Sequence, residues 1–396
     1  MRNKFGFIYF FLLMVGAGQS IVFAIFPALA RELMMTELQT GLVISAAAFV
    51  SFISSPFWGR RVDKAGSKQS LVLGVAGYAI FNMAFAYVLW AAIDSEISVI
   101  TIFLLLVLTR CLFAFFTAAI MPAAQTYLIS HTSAEERPAK MAMIGMMFGL
   151  GMIIGPAAGS AMVSAGILVP IVFSALIMLL PLPFAARQIC GTPLQQRQPG
   201  PIEQLRFTDV KIRSYFILMV TVYAIFSAIQ QTIAFSLQDL LAFDAVTTAQ
   251  WVGIAFMICA ITSVICQGVV IQKWTFSGSQ LITIGLSSIL VALAIFFLAK
   301  GLVGVMVAFA VLGVGFGFAY PGIISKASLA FSAEFQGQVT AALQAAMSLG
   351  FIAGPLIGAG LYAEIGSWVY SVLLLLLVIA LIYVRFSREN VVEELV

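Results

Sequence analysis

Charge is scarce in this chain. Only 9% of its 396 residues are Asp, Glu, Lys or Arg, against about 25% in soluble globular domains. Histidine occurs once, at His131. Cysteine occurs four times, at Cys111, Cys190, Cys259 and Cys266, with no metal-ligand spacing. Three of these thiols lie in apolar runs and read as small buried hydrophobes. The shortage of charge excludes a soluble enzyme and a disordered chain. The shortage of cysteine excludes a disulfide-stapled secreted domain. A net charge of +4 is too small to suggest a nucleic-acid partner. The polar–apolar alternation of an outer-membrane barrel is missing too.

What is present is hydrocarbon. Hydrophobic residues make up 62% of the chain and the mean hydropathy is +1.09. Apolar runs fall at 6–30, 41–58, 71–92, 98–124, 139–164, 167–186, 214–238, 248–271, 279–299, 302–325, 337–363 and 367–385. A helix needs about 20 such residues to cross a bilayer. The runs predict an all-α integral membrane protein with twelve transmembrane helices. Arg2 and Lys4 precede a first run that reaches Ala30, too long for the apolar part of a signal peptide, so it reads as an uncleaved first span.

The longest polar stretch, 187–213, carries Pro193, Pro199, Gly200 and Pro201. It reads as a cytoplasmic linker between an N-terminal six-helix bundle (1–186) and a C-terminal one (214–396). With the N-terminus inside, 17 Lys and Arg fall on the cytoplasmic side: 2, 4, 60, 61, 64, 68, 137, 140, 187, 197, 206, 211, 213, 273, 326, 385 and 388. Only Arg31 and Lys300 fall outside, and Arg110 lies within a span. That asymmetry predicts two cytoplasmic termini.

The halves repeat. Residues 122–159 align with 321–358 without gaps at a constant offset of 199, giving 11 identities in 38 positions. Pro122 meets Pro321, Glu135 meets Glu334 and Gly151 meets Gly350. Gly155-Pro156 meets Gly354-Pro355, and Gly159 meets Gly358. Apolar composition does not readily align two Gly-Pro pairs and a glutamate. Two six-helix repeats in the same orientation are an architecture for alternating access, with substrate at the interface between repeats.

Three motifs stand on this frame. Between spans two and three the chain reads Gly59-Arg60-Arg61-Val62-Asp63-Lys64-Ala65-Gly66-Ser67-Lys68. A tight cytoplasmic turn calls for the glycines, and Asp63 is a carboxylate able to latch onto the positive N-terminus of the eleventh helix near Gln336-Gly337. Span five carries Gly149, Gly151, Gly155-Pro156 and Gly159, with a second copy from Gly350 to Gly360 in span eleven. Glycines four apart let helices pack closely. Span four carries Arg110, the one charge well inside an apolar run, and such a residue is expensive in a membrane.

Together these resemble the major facilitator superfamily. Gly59, Asp63, Lys64, Gly66 and Lys68 fit its signature loop. Arg61 stands where that family usually has an apolar residue, and Ser67 where it usually has a base. The span-five glycines resemble the motif of the family's exporters and antiporters, with Ser160 in place of the last glycine. Arg110 resembles its fourth-helix arginine, which is linked to proton handling, but Ala114 replaces the glycine expected four residues on. The resemblance implies a major facilitator fold, with spans one, four, seven and ten around the cavity and three, six, nine and twelve toward lipid. It also implies kinship with twelve-span drug:proton antiporters.

Polar groups within the runs agree with that layout and mark a candidate substrate cavity: Gln19, Arg110, Thr117, Tyr223, Ser227, Gln230, Gln231, Gln267, Tyr320 and Gln344. A buried amide or hydroxyl is costly unless paired, so these groups line a cavity or join helices. Phe23, Phe26, Phe113, Phe115, Phe226 and Phe316 are available as walls. No Asp or Glu lies mid-membrane. Glu32 and Asp239, at span ends, and Arg110 are the candidates for proton coupling. An arginine without a buried acid suits an anionic or polyhydroxylated solute better than a lipophilic cation.

The function expected is secondary active export of small organic molecules across a bacterial inner membrane, proton-coupled by resemblance. The cargo is drug-like or an anionic metabolite. A dedicated exporter of a carboxylate-type siderophore and a sugar or organic-acid permease are the alternatives. An enzyme is excluded, because no acid–base pair, nucleophile or metal cluster lies at membrane depth. The partners expected are a small-molecule substrate, the lipid bilayer and protons. No cofactor, metal or nucleic acid is expected, and the chain reads as a monomer.

Overall fold

A computed structural model describes residues 5–93, 97–133, 136–188, 210–332 and 335–393. Arg2, Lys4, Cys190, Arg197, Arg206, Glu135, Glu334 and most of the 187–213 linker, with its three prolines and Gly200, lie outside the described residues.

Among the described residues every regular element is helical. The first four spans are α1 (Gly6–Glu32), α2 (Glu37–Ala65), α3 (Ser67–Ile93) and the pair α4 (Val99–Thr117) and α5 (Ile120–Ser130). Spans five and six are α6 (Arg137–Val163) and the pair α7 (Val169–Leu179) and α8 (Leu182–Gln188). The second half holds α9 (Val210–Leu241), α10 (Ala245–Ile265), α11 (Ile271–Lys273), α12 (Gly278–Leu298), α13 (Leu302–Leu329), α14 (Gln336–Ile365) and α15 (Val369–Glu393). A π-helical turn, Cys266–Val270, joins α10 to α11 within span eight.

Eleven stretches among the described residues are long and apolar enough to cross a membrane. The last, Gln336–Val384, runs through the final two apolar segments. It is interrupted where Gly366 takes φ +54° and a short 3-10 turn leads into α15. The helices outrun the apolar segments, because helical hydrogen bonding continues into polar ends. Span two starts at Glu37, where Thr36 and Gln39 form a reciprocal cap.

The chain divides into two compact units. The first comprises 1–198 with 244–254, so the start of span eight belongs to it. The second comprises 199–243 with 255–396. Within the first unit, span one packs most extensively on span five. Within the second, span seven packs in the same way on span eleven. The first unit holds two apolar clusters, one around Phe26, Phe85 and Leu89, the other around Phe11, Tyr78 and Tyr127. Large apolar side chains are exposed along spans three, six, nine and twelve. Examples are Ile80 and Trp90, Leu176 and Leu180, Val291 and Leu298, and Leu375 and Ile379. In water such surface is a liability. For a helix bundle in lipid it is the required exterior.

Candidate functional site

The glycine motif places its residues at backbone contact. A methyl group on Gly151 would strike the Leu13 carbonyl, and one on Gly155 would strike Ser20 and the Ala17 carbonyl. The second half repeats this. Gly350 lies on Tyr223 and Ala224, and Gly354 lies on Ser227 and the Ala224 carbonyl. Gly159 and Gly358 rest on Ile21 and Ala228. Pro156 and Pro355 sit inside unbroken helices. Ser20 donates to the Ala17 carbonyl at 2.9 Å, and Ser227 to the Gly350 carbonyl at 3.0 Å. The repeat therefore includes spans one and seven, where only Ala17/Ala224 and Ser20/Ser227 survive as identical pairs at these contacts.

Arg110 is buried between spans three and four of the first unit. Its guanidinium carbon lies 4.3 Å from the centre of the Phe113 ring and 5.1 Å from that of Phe85. One terminal nitrogen donates weakly to Asn82 Oδ1 at 3.5 Å, and Nε has no partner. The cation is held by ring quadrupoles rather than by a carboxylate. Asn82 Nδ2 donates to Ser174 Oγ at 2.8 Å, and the Tyr78 hydroxyl reaches the Met14 carbonyl at 3.3 Å. Asn82 escaped the sequence reading, although it is the single Asn in an apolar run and is 1% exposed. The Thr117 hydroxyl, two turns along span four, is buried and unpaired.

In the second unit a cavity of about 120 Å³ opens between spans seven, ten and eleven. Tyr320, Gln344, Met219, Met347, Ser328 and Thr340 line it with apolar neighbours, and no charged residue does. Beside it, Tyr223 stands 5.5 Å from Phe351, 6.1 Å from Phe316 and 6.3 Å from Tyr320 by ring centres. Phe226 and Phe316 approach to 4.6 Å. The structure thus brings Tyr223, Tyr320 and Gln344 together. Ser227 serves the contact with span eleven. Gln230 and Gln231 are buried, with Gln230 Oε1 and both amide atoms of Gln231 unpaired. Gln267 lies in the π turn, exposed and bonded to Ser263. Gln19 is half-buried in span one. Phe26 packs on Phe85 in the core.

The carboxylates sit where the helices end. Asp239 Oδ2 accepts from the Tyr362 hydroxyl at 2.7 Å. Glu32 Oε1 accepts from the Ala245 N–H at 3.0 Å, at the start of span eight. Asp244 precedes that helix and caps the Thr247 N–H at 2.9 Å. The Thr247 hydroxyl and amide hold the Asp244 carboxyl below its ordinary range. Arg31 is bound to Glu37 at 2.7 Å.

The signature loop is shorter than the sequence implies. Gly59, Asp63 and Lys64 all lie in α2, which runs to Ala65, so Gly59 makes no turn. Gly66 alone turns the chain, at φ +85°, a conformation that favours glycine. Asp63 and Lys64 are exposed, and Lys68 lies in the first turn of α3. His131 stacks on Tyr127 at 4.2 Å, as an ordinary end-of-helix side chain does.

The family model of the Major Facilitator Superfamily matches residues 8–342 and 214–394. Multidrug resistance protein 2 of Bacillus subtilis is 27% identical over 163 residues, 41% of this chain and 38% of that protein. The chain therefore spans about two fifths of that relative. The class C tetracycline resistance protein of Escherichia coli is 23% identical over 363 residues, covering 88% of this chain and 87% of that one. Among solved structures, an inward-facing, occupied bacterial homologue of the human lysosomal transporter Spinster superposes with TM-score 0.78 at 12% identity, over 97% and 96% of the two chains. The human organic anion transporter MFSD10 gives 0.62 at 17% identity, over 97% and 99%. These are transporters, not enzymes. With the matched helices, the glycine-packed repeats and the lipid-facing exterior on the same chain, this integral membrane protein belongs to the Major Facilitator Superfamily of transporters.

Proposed function

We propose that this transporter exports small organic molecules across the cytoplasmic membrane in exchange for protons, by alternating access between halves 1–186 and 214–396 with both termini inside. The observation that carries the cargo is the uncharged cavity of the second unit. Tyrosine, glutamine and methionine share its walls with aliphatic side chains and two hydroxyls, a mixture that holds amphipathic molecules by area and a few hydrogen bonds. Methionine adapts to varied shapes. Relatives named for resistance to tetracycline and several other drugs support the same class. Asp239 and Glu32 are the proton carriers in this reading. Asp63 is the cytoplasmic latch.

A second cargo, an anionic metabolite, is favoured by one observation: Arg110 is buried without an acid beside it. The test is substrate-driven proton movement in inside-out vesicles energised to an acid interior. Neutral drug-like, cationic and carboxylate probes are added in turn. Export by exchange predicts that a transported probe collapses the pH gradient and accumulates inside. A probe that accumulates without moving protons removes the coupling. No response to any probe removes the reading.

A further inference from the structure

We propose that Trp58 is a positioning residue for transport: its indole N–H holds the carbonyl that span four frees where it breaks. The regular helix of span four is interrupted between Thr117 and Ile120. In a continuous helix the Phe115 carbonyl would receive the Ala119 N–H. Here Ala119 donates to Phe116 instead, at 3.0 Å, and Ala118 to Ala114 at 3.1 Å. The Phe115 carbonyl is left over in an apolar bundle, where an unpaired backbone group is expensive. Trp58 Nε1, from span two, donates to it at 2.6 Å.

The contact is built rather than incidental. Trp58 is 2% exposed. Its ring lies 5.4 Å from Phe115 and 6.2 Å from Phe116, and Phe57 stands 5.4 Å from it and 5.8 Å from Phe115. The Arg61 guanidinium covers it at 5.8 Å. The break needs the proline and a neighbouring donor together: Pro122 has no N–H to offer, yet Pro321, its repeat partner, lies within the uninterrupted helix Leu302–Leu329. Span four breaks where a neighbouring N–H is ready to donate to the freed carbonyl.

The consequence concerns what the two pieces of span four carry. Arg110 and Thr117 lie on the first piece, and Tyr127 and His131 at the end of the second. Trp58 ties the break between them to α2, one residue before Gly59 of the motif. Its role is positional, since nothing here requires it to touch substrate.

The experiment uses the full chain and a double-mutant cycle. Trp58→Phe removes the donor. Pro122→Ala restores a residue that can join a continuous helix, in which Phe115 recovers Ala119. Thermal unfolding is measured on purified protein, and proton-coupled transport with whichever probe of the vesicle panel the wild type carries. Trp58→Phe should lower the midpoint by roughly 2–4 °C and slow transport, and should do much less in the Pro122→Ala background. Equal effects in both backgrounds would overturn the proposal, since lost ring packing is the same in each. If Pro122→Ala does not fold, β-(3-benzothienyl)alanine at position 58 replaces the N–H by sulfur and keeps the ring. Wild-type stability and transport in that protein would overturn the proposal equally. The unfolding arm needs no substrate, so equal effects there overturn the proposal even if no probe is carried, while slowed transport that Pro122→Ala relieves is what supports the positioning role.

Discussion

Ser227 lies directly on Gly354. Its Oγ donates to the Gly350 carbonyl at 3.0 Å, and a methyl group on Gly354 would overlap it. Ser20 stands in the same relation to Gly155. Each half thus joins its first span to its fifth through one serine on one glycine. Gly354→Ala and Gly155→Ala should each destabilise the purified protein by about 1–3 kcal/mol, the usual cost of overpacking. Gly149→Ala is the control. Nothing lies within 4 Å of a methyl group there, so gained helix propensity should leave the midpoint unchanged or raise it.

The Arg110 cage makes a sharper test of cargo charge than deletion does. Asn82→Asp places a carboxylate within reach of the guanidinium, since Asn82 Oδ1 already stands 3.5 Å away. If Arg110 serves an anionic solute, this neutralised variant should fold, lose carboxylate-probe transport by roughly tenfold or more, and keep transport of neutral probes. Arg110→Lys should fail similarly, because an ammonium cannot stack flat on Phe113 as a guanidinium does. Unchanged carboxylate transport in both variants would leave Arg110 a purely structural cation.

The membrane fold could be read from composition because hydrocarbon imposes one rule on every span: each must be apolar and about 20 residues long. The glycine–proline repeat was equally legible, since glycines in contact with a neighbouring backbone tolerate no side chain. Its partners in spans one and seven were not. Leu13, Ala17 and Ala224 offer backbone atoms to the glycines, and backbone is the same whatever residue carries it. The polar candidates scattered for a related reason. A serine in an apolar run signals either a cavity or a helix contact, and Ser227 proved to serve a contact, while Tyr320 and Gln344 line a cavity. Asn82 and Trp58 acquire meaning only from neighbours distant in sequence.

Asp239 and Tyr362 offer a graded test of coupling. The tyrosine hydroxyl donates to the carboxylate at 2.7 Å, and Ser236 joins Tyr370 at 2.7 Å one turn away. Asp239→Asn should abolish substrate-driven proton movement if this acid carries the proton. Tyr362→Phe should slow it by roughly tenfold, the worth of one hydrogen bond to a charged group. Ser236→Ala, which removes a second partner of the Tyr362 hydroxyl but not its bond to the carboxylate, should slow it less than Tyr362→Phe does. The same measurements on Glu32→Gln separate the two candidate acids, and full coupling in both neutral variants would place the proton elsewhere.

The start of span eight predicts a pH dependence whose sign follows from Asp244. Its carboxyl is held below the ordinary range by Thr247, so the native state favours the ionised form. The associated stability is present above the unfolded carboxylate value of about 3.9 and is lost as pH falls through the lower folded value. Asparagine caps helices nearly as well as aspartate, so Asp244→Asn removes only the charge. At neutral pH that variant should unfold slightly earlier, by the worth of one exposed carboxylate at a helix N-terminus, about 0.3–1 kcal/mol. On acidification the wild type should converge on the variant, and never the reverse. Glu32 meets the same helix end through the Ala245 N–H. Glu32→Ala should therefore cost more than Glu32→Gln, which retains an acceptor oxygen. If both cost the same at every pH, the contact contributes through its charge alone.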